Sequence, residues 1–204
     1  MVVECKDKDN KECLRNYTPV CYKPGEFEVV VKQYEGGVGS GHIHSLKVGD
    51  KSTFRGPMPP SYLFRDRRSQ IKTLVLIAGG TGVAPMYSIA YAATCEEPKI
   101  GKIVFLGCYR DDDDILLESD VQRLGGPIEY SLILSRQKDA PKSDHKAKHV
   151  FQGRMTPEMI TKVLGESTAE GTEVVCCGPP PFNDHVNNVF TKELKFSNEK
   201  VHLM

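Results

Sequence analysis

Three short stretches contain residue types that could do chemistry at their spacing. The first is Leu74-Val-Leu-Ile-Ala-Gly-Gly-Thr-Gly-Val-Ala-Pro-Met86. An apolar run stops abruptly at Gly79, Gly80 and Gly82, and an apolar-periodic segment, Val83 to Ala93, begins at once. The pattern predicts a buried strand, a glycine turn and a fresh helix N-terminus. Unpaired backbone N–H groups and the positive end of the helix dipole then meet at one point, which suits phosphate or another anion. Pro85 falls in the first helical turn, where its missing N–H leaves no bond unmade. The second stretch, Cys177-Gly178-Pro179-Pro180-Pro181, also follows an apolar run. The third, Glu35-Gly-Gly-Val-Gly-Ser40, is a glycine loop running into a short helix, with Ser40 placed to cap that helix or to bond a phosphate oxygen.

These turns need a scaffold, and from Ile71 onward the chain supplies an alternating one. Strands are expected at 71–78, 103–109, 129–135, 173–177 and 200–203, and helices at 83–94, 114–124, 156–165 and 181–194. Apolar strands alternating with helices predict a five-stranded parallel sheet covered on both faces. Ligands of such sheets sit beyond the strands' carboxyl ends, where both the Gly79–Gly82 and Cys177–Pro181 turns fall, so one site is consistent with both. The first third reads differently. Residues 1–13 are charged and open without a hydrophobic strand. Arg15 to Val20 reads as an edge strand, extended before Pro19, and Phe27 to Tyr34 as a β-branched and aromatic strand. Lys51 to Gly56 is a short strand, and Pro57, Pro59 and Pro60 end regular structure. The polar stretch Arg65 to Gln70 suggests a boundary, with domains at 1–68 and 69–204.

Composition narrows the function classes. The 204 residues carry zero net charge, which argues against a nucleic-acid or anionic-membrane partner. Hydrophobic content of 39% can support a core. Seven cysteines are an odd number without zinc-type CxxC pairs, and no signal peptide opens the chain, so reduced thiols in a cytosolic setting are expected. No apolar run approaches membrane-spanning length, which predicts a soluble chain. His42, His44, His185 and His202 lack metal-ligand spacing. Asp111 to Asp114 fit a helix-start pattern better than a metal site. Lys138 to His149 reads as a solvated loop, with a partner-docking patch as the alternative.

Taken in order, the segments resemble the NADH–cytochrome b5 reductase branch of the ferredoxin–NADP reductase superfamily. The flavin signature R-x-Y-[ST]-x-V is matched by Arg15, Tyr17, Thr18 and Val20. The pyrophosphate loop G-G-x-x-S is matched by Gly36, Gly37 and Ser40. The nucleotide turn G-G-T-G-x-x-P-M is matched by Gly79 to Met86, and C-G-P-P-P by Cys177 to Pro181. The resemblance implies a flavin barrel followed by a Rossmann-like nucleotide domain. It implies FAD and NADH or NADPH as cofactors, with hydride transfer to FAD and single-electron delivery to a heme protein such as cytochrome b5.

Residue roles are implied in the same way. Arg15 would pair with the flavin pyrophosphate, a bidentate task suited to guanidinium. Tyr17 would pack along the isoalloxazine, Thr18 would offer its hydroxyl near the reactive flavin nitrogen, and Val20 completes the signature. Lys32 and Tyr34 occupy strand positions facing the cofactors, and Gly37 and Ser40 the phosphate loop. Thr81 would approach the flavin from the second domain. Gly80, Gly82 and Pro85 would admit the dinucleotide, and Cys177, Gly178 and Pro179 would border the nicotinamide.

Three departures from the pattern stand out. The barrel strands that precede R-x-Y-[ST] in the family are absent, which implies a truncated barrel. Val38 and Gly39 replace the usual Lys and Met. Ser135-Arg136 follows the third strand of the second domain, where NADH-specific members carry an acid; it either holds the 2′-phosphate of NADPH or is a surface pair. Two functions remain open: an NAD(P)H-dependent flavin reductase, or a non-catalytic fragment that binds the dinucleotide but not FAD.

Overall fold

The computed structural model describes residues 1–6, 9, 11–56, 65–95, 97, 99–165, 167 and 169–204. The prolines at 57, 59 and 60 lie outside these residues. The chain divides into two compact units, Met1–Ser61 and Tyr62–Met204.

In the first unit, β1 (Val2–Lys6), β2 (Glu12–Asn16) and β5 (Phe54–Arg55) form a three-stranded antiparallel sheet, ordered β2-β1-β5. The expectation that residues 1–13 lack a hydrophobic strand is corrected: β1 is the central strand, with Val2, Val3 and Cys5 buried. Its apolar residues are too few to register as a run, but two partners cover them. A hairpin of β3 (Pro19–Lys23) and β4 (Glu26–Val29) follows, and Phe27 packs edge-on against Phe54 at 5.1 Å. The expected strand to Tyr34 stops at Val29 instead. Val29 pairs with Pro19, which has no N–H with which to continue a ladder, so Lys32 and Tyr34 are not on a strand. Helix α1 (Val38–Ser45) completes the unit. These antiparallel pieces are the barrel part of the fold.

The second unit is α/β. β6 (Thr73–Gly79), β7 (Lys102–Tyr109), β8 (Ile128–Leu134), β9 (His149–Gln152), β10 (Thr172–Cys177) and β11 (Val201–Leu203) form one parallel sheet, ordered β11-β10-β6-β7-β8-β9. Six strands, not five, make the sheet. The extra one, β9, is an edge strand of four residues with one neighbour, so its sequence needs no apolar run. Helices α2 (Val83–Cys95) and α3 (Glu118–Leu124) cover one face, and α4 (Pro157–Leu164) and α5 (Pro180–Asn188) the other. Alternation along β6 assigns its side chains: Leu74 and Leu76 pack toward α2, while Val75 and Ile77 pack toward α4 and α5. Every residue of β6 is buried, as the central strand of a doubly covered sheet requires.

Arg65–Gln70, the suggested boundary, is a 3-10 helix in the second unit. There the buried Arg68 donates to Ala92 O (3.2 Å) and Ala93 O (2.9 Å), satisfying carbonyls at the end of α2. Among the described residues no helix is long and apolar enough to cross a membrane, and no group of His, Cys, Asp and Glu could hold a metal.

Candidate functional site

The glycine turn of the second unit is shaped by close approach. Gly80–Gly82 forms one 3-10 turn between β6 and α2. A Cβ at Gly82 would lie 1.9 Å from Cys177 O, so only glycine lets this turn meet the end of β10. Cβ atoms at Gly79 and Gly178 would lie 2.7 and 2.4 Å from the Phe182 ring, which backs both turns. Phe182 carries no sequence signature; its role comes from α5 starting immediately after Pro179. Gly80 differs from these. Its φ of +56 favours glycine, and a Cβ there would meet nothing within 4 Å, leaving open space over the turn. Thr81 and Pro85 flank this space along the chain, and the 3-10 turn runs directly into α2, with the Val83 N–H donating back to Gly80 O and Thr81 O. Cys177, half-buried, sits beside Ala78 in register, and burial pushes its thiol upward so that it stays protonated at neutral pH.

The ends of β7 and β8 lie further along the same carboxyl edge. Ser135 is held by its own backbone and side chain, since its N–H and Oγ both donate to Tyr109 O, at 2.9 and 3.1 Å. Arg136 donates its N–H to Arg110 O (2.7 Å) and leaves its side chain exposed, with no ion pair among the described residues.

Asp111 to Asp114 do not begin α3 as expected; residues 112–114 form a 3-10 turn and the helix starts at Glu118. Asp112 instead accepts bonds from Gln137 Nε2 (2.9 Å) and Lys142 N (3.0 Å), and Lys142 Nζ pairs with Asp113 at 3.0 Å. His145 joins this group from what reads in the sequence as a solvated loop. Its ring, only 7% exposed, contacts Asp112 at 2.8 Å and Glu118 at 3.1 Å. Nothing in the sequence marked it, because its carboxylates lie 33 and 27 residues away.

Burial alone would lower the His145 pKa from 6.5, but the bonds to Asp112 and Glu118 outweigh it and raise it. Asp112 moves the other way: burial opposes ionisation, and the bonds from His145 and Lys142 hold it below 3.8. A raised histidine contributes stability that is full below its unfolded value and lost as pH rises through the folded one. A lowered aspartate contributes stability lost as pH falls through its folded value. Residues 137–148 should therefore be best protected between about pH 4 and 6.5 and should loosen toward pH 8. Amide exchange corrected for intrinsic rates checks this, and His145→Ala should abolish the alkaline change; equal protection at pH 5.5 and 8 in the parent would refute it.

In the first unit, Arg15 and Tyr17 converge on α1. A Cβ at Gly39 would lie 2.7 Å from Arg15 Cγ and 3.0 Å from Tyr17 Oη, so the glycine admits both side chains. The departure at position 39 thus has a structural purpose in this chain. Gly37 is the N-cap of α1 and no side chain caps it, although Gly39 and Ser40 in the first turn are buried. Ser40 is inside the helix and not its cap. Its hydroxyl accepts from Tyr34 N (3.2 Å) and donates to Gly37 O (3.4 Å), which shapes the 34–40 turn. The exposed Arg15 side chain donates to Leu14 O at 2.9 Å. Thr18 lies in the short link before β3, half-buried, and Val20 is within β3. Lys32 is half-buried and Tyr34 exposed, both outside regular structure.

A parallel sheet with glycine turns at adjacent carboxyl ends, carried on the same chain as an antiparallel barrel part with an arginine against an uncapped helix, defines a two-domain dinucleotide-type α/β protein. Residues 1–61 match the oxidoreductase FAD-binding domain, and residues 76–188 the oxidoreductase NAD-binding domain. The chain belongs to the oxidoreductases in which an FAD-binding domain is followed by an NAD-binding domain. It is 35% identical over 176 residues to NADH-cytochrome b5 reductase 1 of Lodderomyces elongisporus, covering 85% of this chain and 56% of that one. It is 31% identical over 182 residues to NADH-cytochrome b5 reductase 2 of Aspergillus clavatus, covering 88% and 55%. The chain thus spans about half the length of the curated relatives it matches. The fold is shared with the cytochrome b5 reductase domain of Ulva prolifera nitrate reductase, at a TM-score of 0.77 and 23% identity, over 100% of this chain and 83% of that one.

Proposed function

We propose that this chain is an NAD(P)H-dependent flavoprotein reductase that passes electrons through FAD to a heme protein of the cytochrome b5 kind. The observation that carries the reading is the backbone cradle at Gly79–Gly82 and Cys177–Gly178, tight on one side and open over Gly80. That shape fits a dinucleotide, whose pyrophosphate needs close backbone approach and a helix N-terminus. The buried, uncapped start of α1 beside Arg15 fits the pyrophosphate of FAD in the same physical terms. When bound, the flavin supplies the redox step, accepting electrons in pairs and releasing them singly.

The residues of the chain bind and orient. Arg15 and the first-turn N–H groups of α1 take the flavin phosphates, Tyr17 and Thr18 border the ring system, and Ser40 holds the turn that presents Gly37. Gly80, Gly82 and the first turn of α2, with Thr81 and Pro85, take the nicotinamide dinucleotide. Cys177, a neutral thiol, borders the nicotinamide with Gly178 and Pro179 and leaves no anion beside it. The relatives' names supply the acceptor class, cytochrome b5.

The test is an absorption spectrum of the purified chain followed by anaerobic NADH addition and then cytochrome b5. A yellow protein that bleaches with NADH and reduces the heme supports the reading. A colourless protein that still binds NADH supports the dinucleotide-binding fragment instead.

At the adenosine end, Arg136 favours the 2′-phosphate of NADPH, because its exposed guanidinium has no ion pair to break among the described residues. The Ser135 hydroxyl already donates to Tyr109 O, and Lys142 is held by Asp113, so the arginine acts largely alone. Arg136→Ala should weaken NADPH by about 1–2 kcal/mol, roughly 5- to 30-fold in Kd, and spare NADH. Paired titrations at two salt concentrations check this; equal loss of both nucleotides would overturn it.

A further inference from the structure

The hairpin ahead of Arg15 contains a pair of thiols that the proposed reductase chemistry does not use. Cys5 on β1 and Cys13 on β2 are direct cross-strand partners in the antiparallel register. Their Sγ atoms stand 3.0 Å apart, and Cys5 Sγ also reaches Cys13 O at 3.4 Å. Directly opposed residues of antiparallel strands have Cα atoms about 4.5–5.5 Å apart, inside the range a disulfide spans. Bond formation therefore needs side-chain rotation and little movement of the backbone. The two thiols also differ in access: Cys5 is buried at 5% exposure, whereas Cys13 is half-exposed on an edge strand.

We propose that Cys5 and Cys13 form a reversible redox pair, closed to an intramolecular disulfide by a small disulfide oxidant such as glutathione disulfide. The accessible Cys13 loses its proton to solvent, and its thiolate attacks one sulfur of the oxidant. A mixed disulfide forms and one glutathione thiolate leaves. Cys5 then attacks Cys13 Sγ, breaking the mixed disulfide and releasing the second glutathione thiolate, while the Cys5 proton passes to solvent or to that thiolate. The protein dithiol is oxidised by two electrons and the glutathione disulfide is reduced to two thiols, so the exchange balances. Burial is the first reason that the Cys5 thiol is held up at about 11, with the adjacent Cys13 adding to it, and this makes Cys5 the slow resolving thiol and Cys13 the entry point. The disulfide would brace the hairpin whose next outward position on the same face, two residues beyond Cys13, is Arg15.

The remaining cysteines provide the controls. Cys95 is exposed on α2 and reports that the oxidant is active, while Cys176 is buried and should stay reduced. The full chain is equilibrated with glutathione from the reduced to the oxidised extreme, quenched in acid, alkylated and digested with trypsin. The expected product joins Met1–Lys6 to Glu12–Arg15, rises as oxidised glutathione rises, exceeds the mixed disulfide at Cys13 by about tenfold, and returns to two alkylated thiols with dithiothreitol. Cys5→Ser should stop at the mixed disulfide on Cys13, and Cys13→Ser should give no linked peptide. The proposal is overturned if both thiols remain alkylated where Cys95 has reacted, if the mixed disulfide persists in the parent, or if Cys5 or Cys13 links to another cysteine. None of these readouts depends on flavin or nicotinamide, so a colourless protein would not obscure the result.

Discussion

Gly82→Ala is expected to destabilise the second unit by about 3 kcal/mol and to abolish detectable NADH binding. The added Cβ would lie 1.9 Å from Cys177 O, 2.6 Å from Cys177 C and 3.2 Å from Gly178 N. All three are backbone atoms at the end of β10, and none can rotate away as a side-chain tip could. Relief must come from separating the two turns, which opens the cradle over Gly80 and strains the register in which Cys177 pairs with Ala78. A matched control is Gly101→Ala, where the nearest atom is Lys72 O at 3.9 Å and the backbone is not left-handed. That variant should change stability by less than about 1 kcal/mol. Thermal unfolding and NADH titration of both variants form the measurement. If Gly82→Ala melts like Gly101→Ala and binds NADH like the parent, the two turns do not form one cradle.

Arg15→Ala is expected to weaken FAD retention by about 1.5–3 kcal/mol, roughly 10- to 150-fold in Kd, with the second unit's thermal stability unchanged. The side chain donates to a neighbouring carbonyl at the surface, and its stem lies on Gly39 at the uncapped start of α1. Turning the guanidinium toward an anion there exchanges an ordinary hydrogen bond for a charge-assisted one. Arg15→Lys should fall between parent and alanine, because a point charge keeps attraction and loses the planar fork. Flavin content after dialysis, read by absorbance, checks the series. Equal flavin content in all three proteins would remove Arg15 from the phosphate contact and would leave the assignment of the second unit intact.

The carboxyl-edge turns were legible because chemistry and local geometry coincide there. A buried strand that ends in glycines and restarts as a helix allows few structures, and Gly79 to Pro85 form the expected one. The same reasoning erred where an element is defined by its partners. β1 has only two valines and a cysteine to bury, and it is a strand because β2 and β5 flank it. β9 was hidden for the opposite reason, since an edge strand in a polar stretch needs only one neighbour's hydrogen bonds. The strand expected to reach Tyr34 ends at Val29 because its partner ends at Pro19. Hydrophobic periodicity reports burial by whatever covers a segment, and it carries no information about which segment does the covering.

By itself the sequence determined the class of fold, the order of its two parts, the strand–glycine turn–helix at Gly79 to Pro85 and the family. All of these rest on local rules: period-two and period-3.6 patterns, glycine where the backbone must turn, and motifs read within a dozen residues. Only the tertiary structure decided that Gly82 must be glycine because of Cys177, that Gly39 makes room for Arg15 and Tyr17, and that Phe182 backs two turns at once. It alone paired Cys5 with Cys13 and placed His145 between Asp112 and Glu118. Those relations join residues 4 to 103 positions apart, and they depend on register and on which loops close over which strands. Both are settled by the sum of many weak contacts across the whole unit, so no local stretch encodes them.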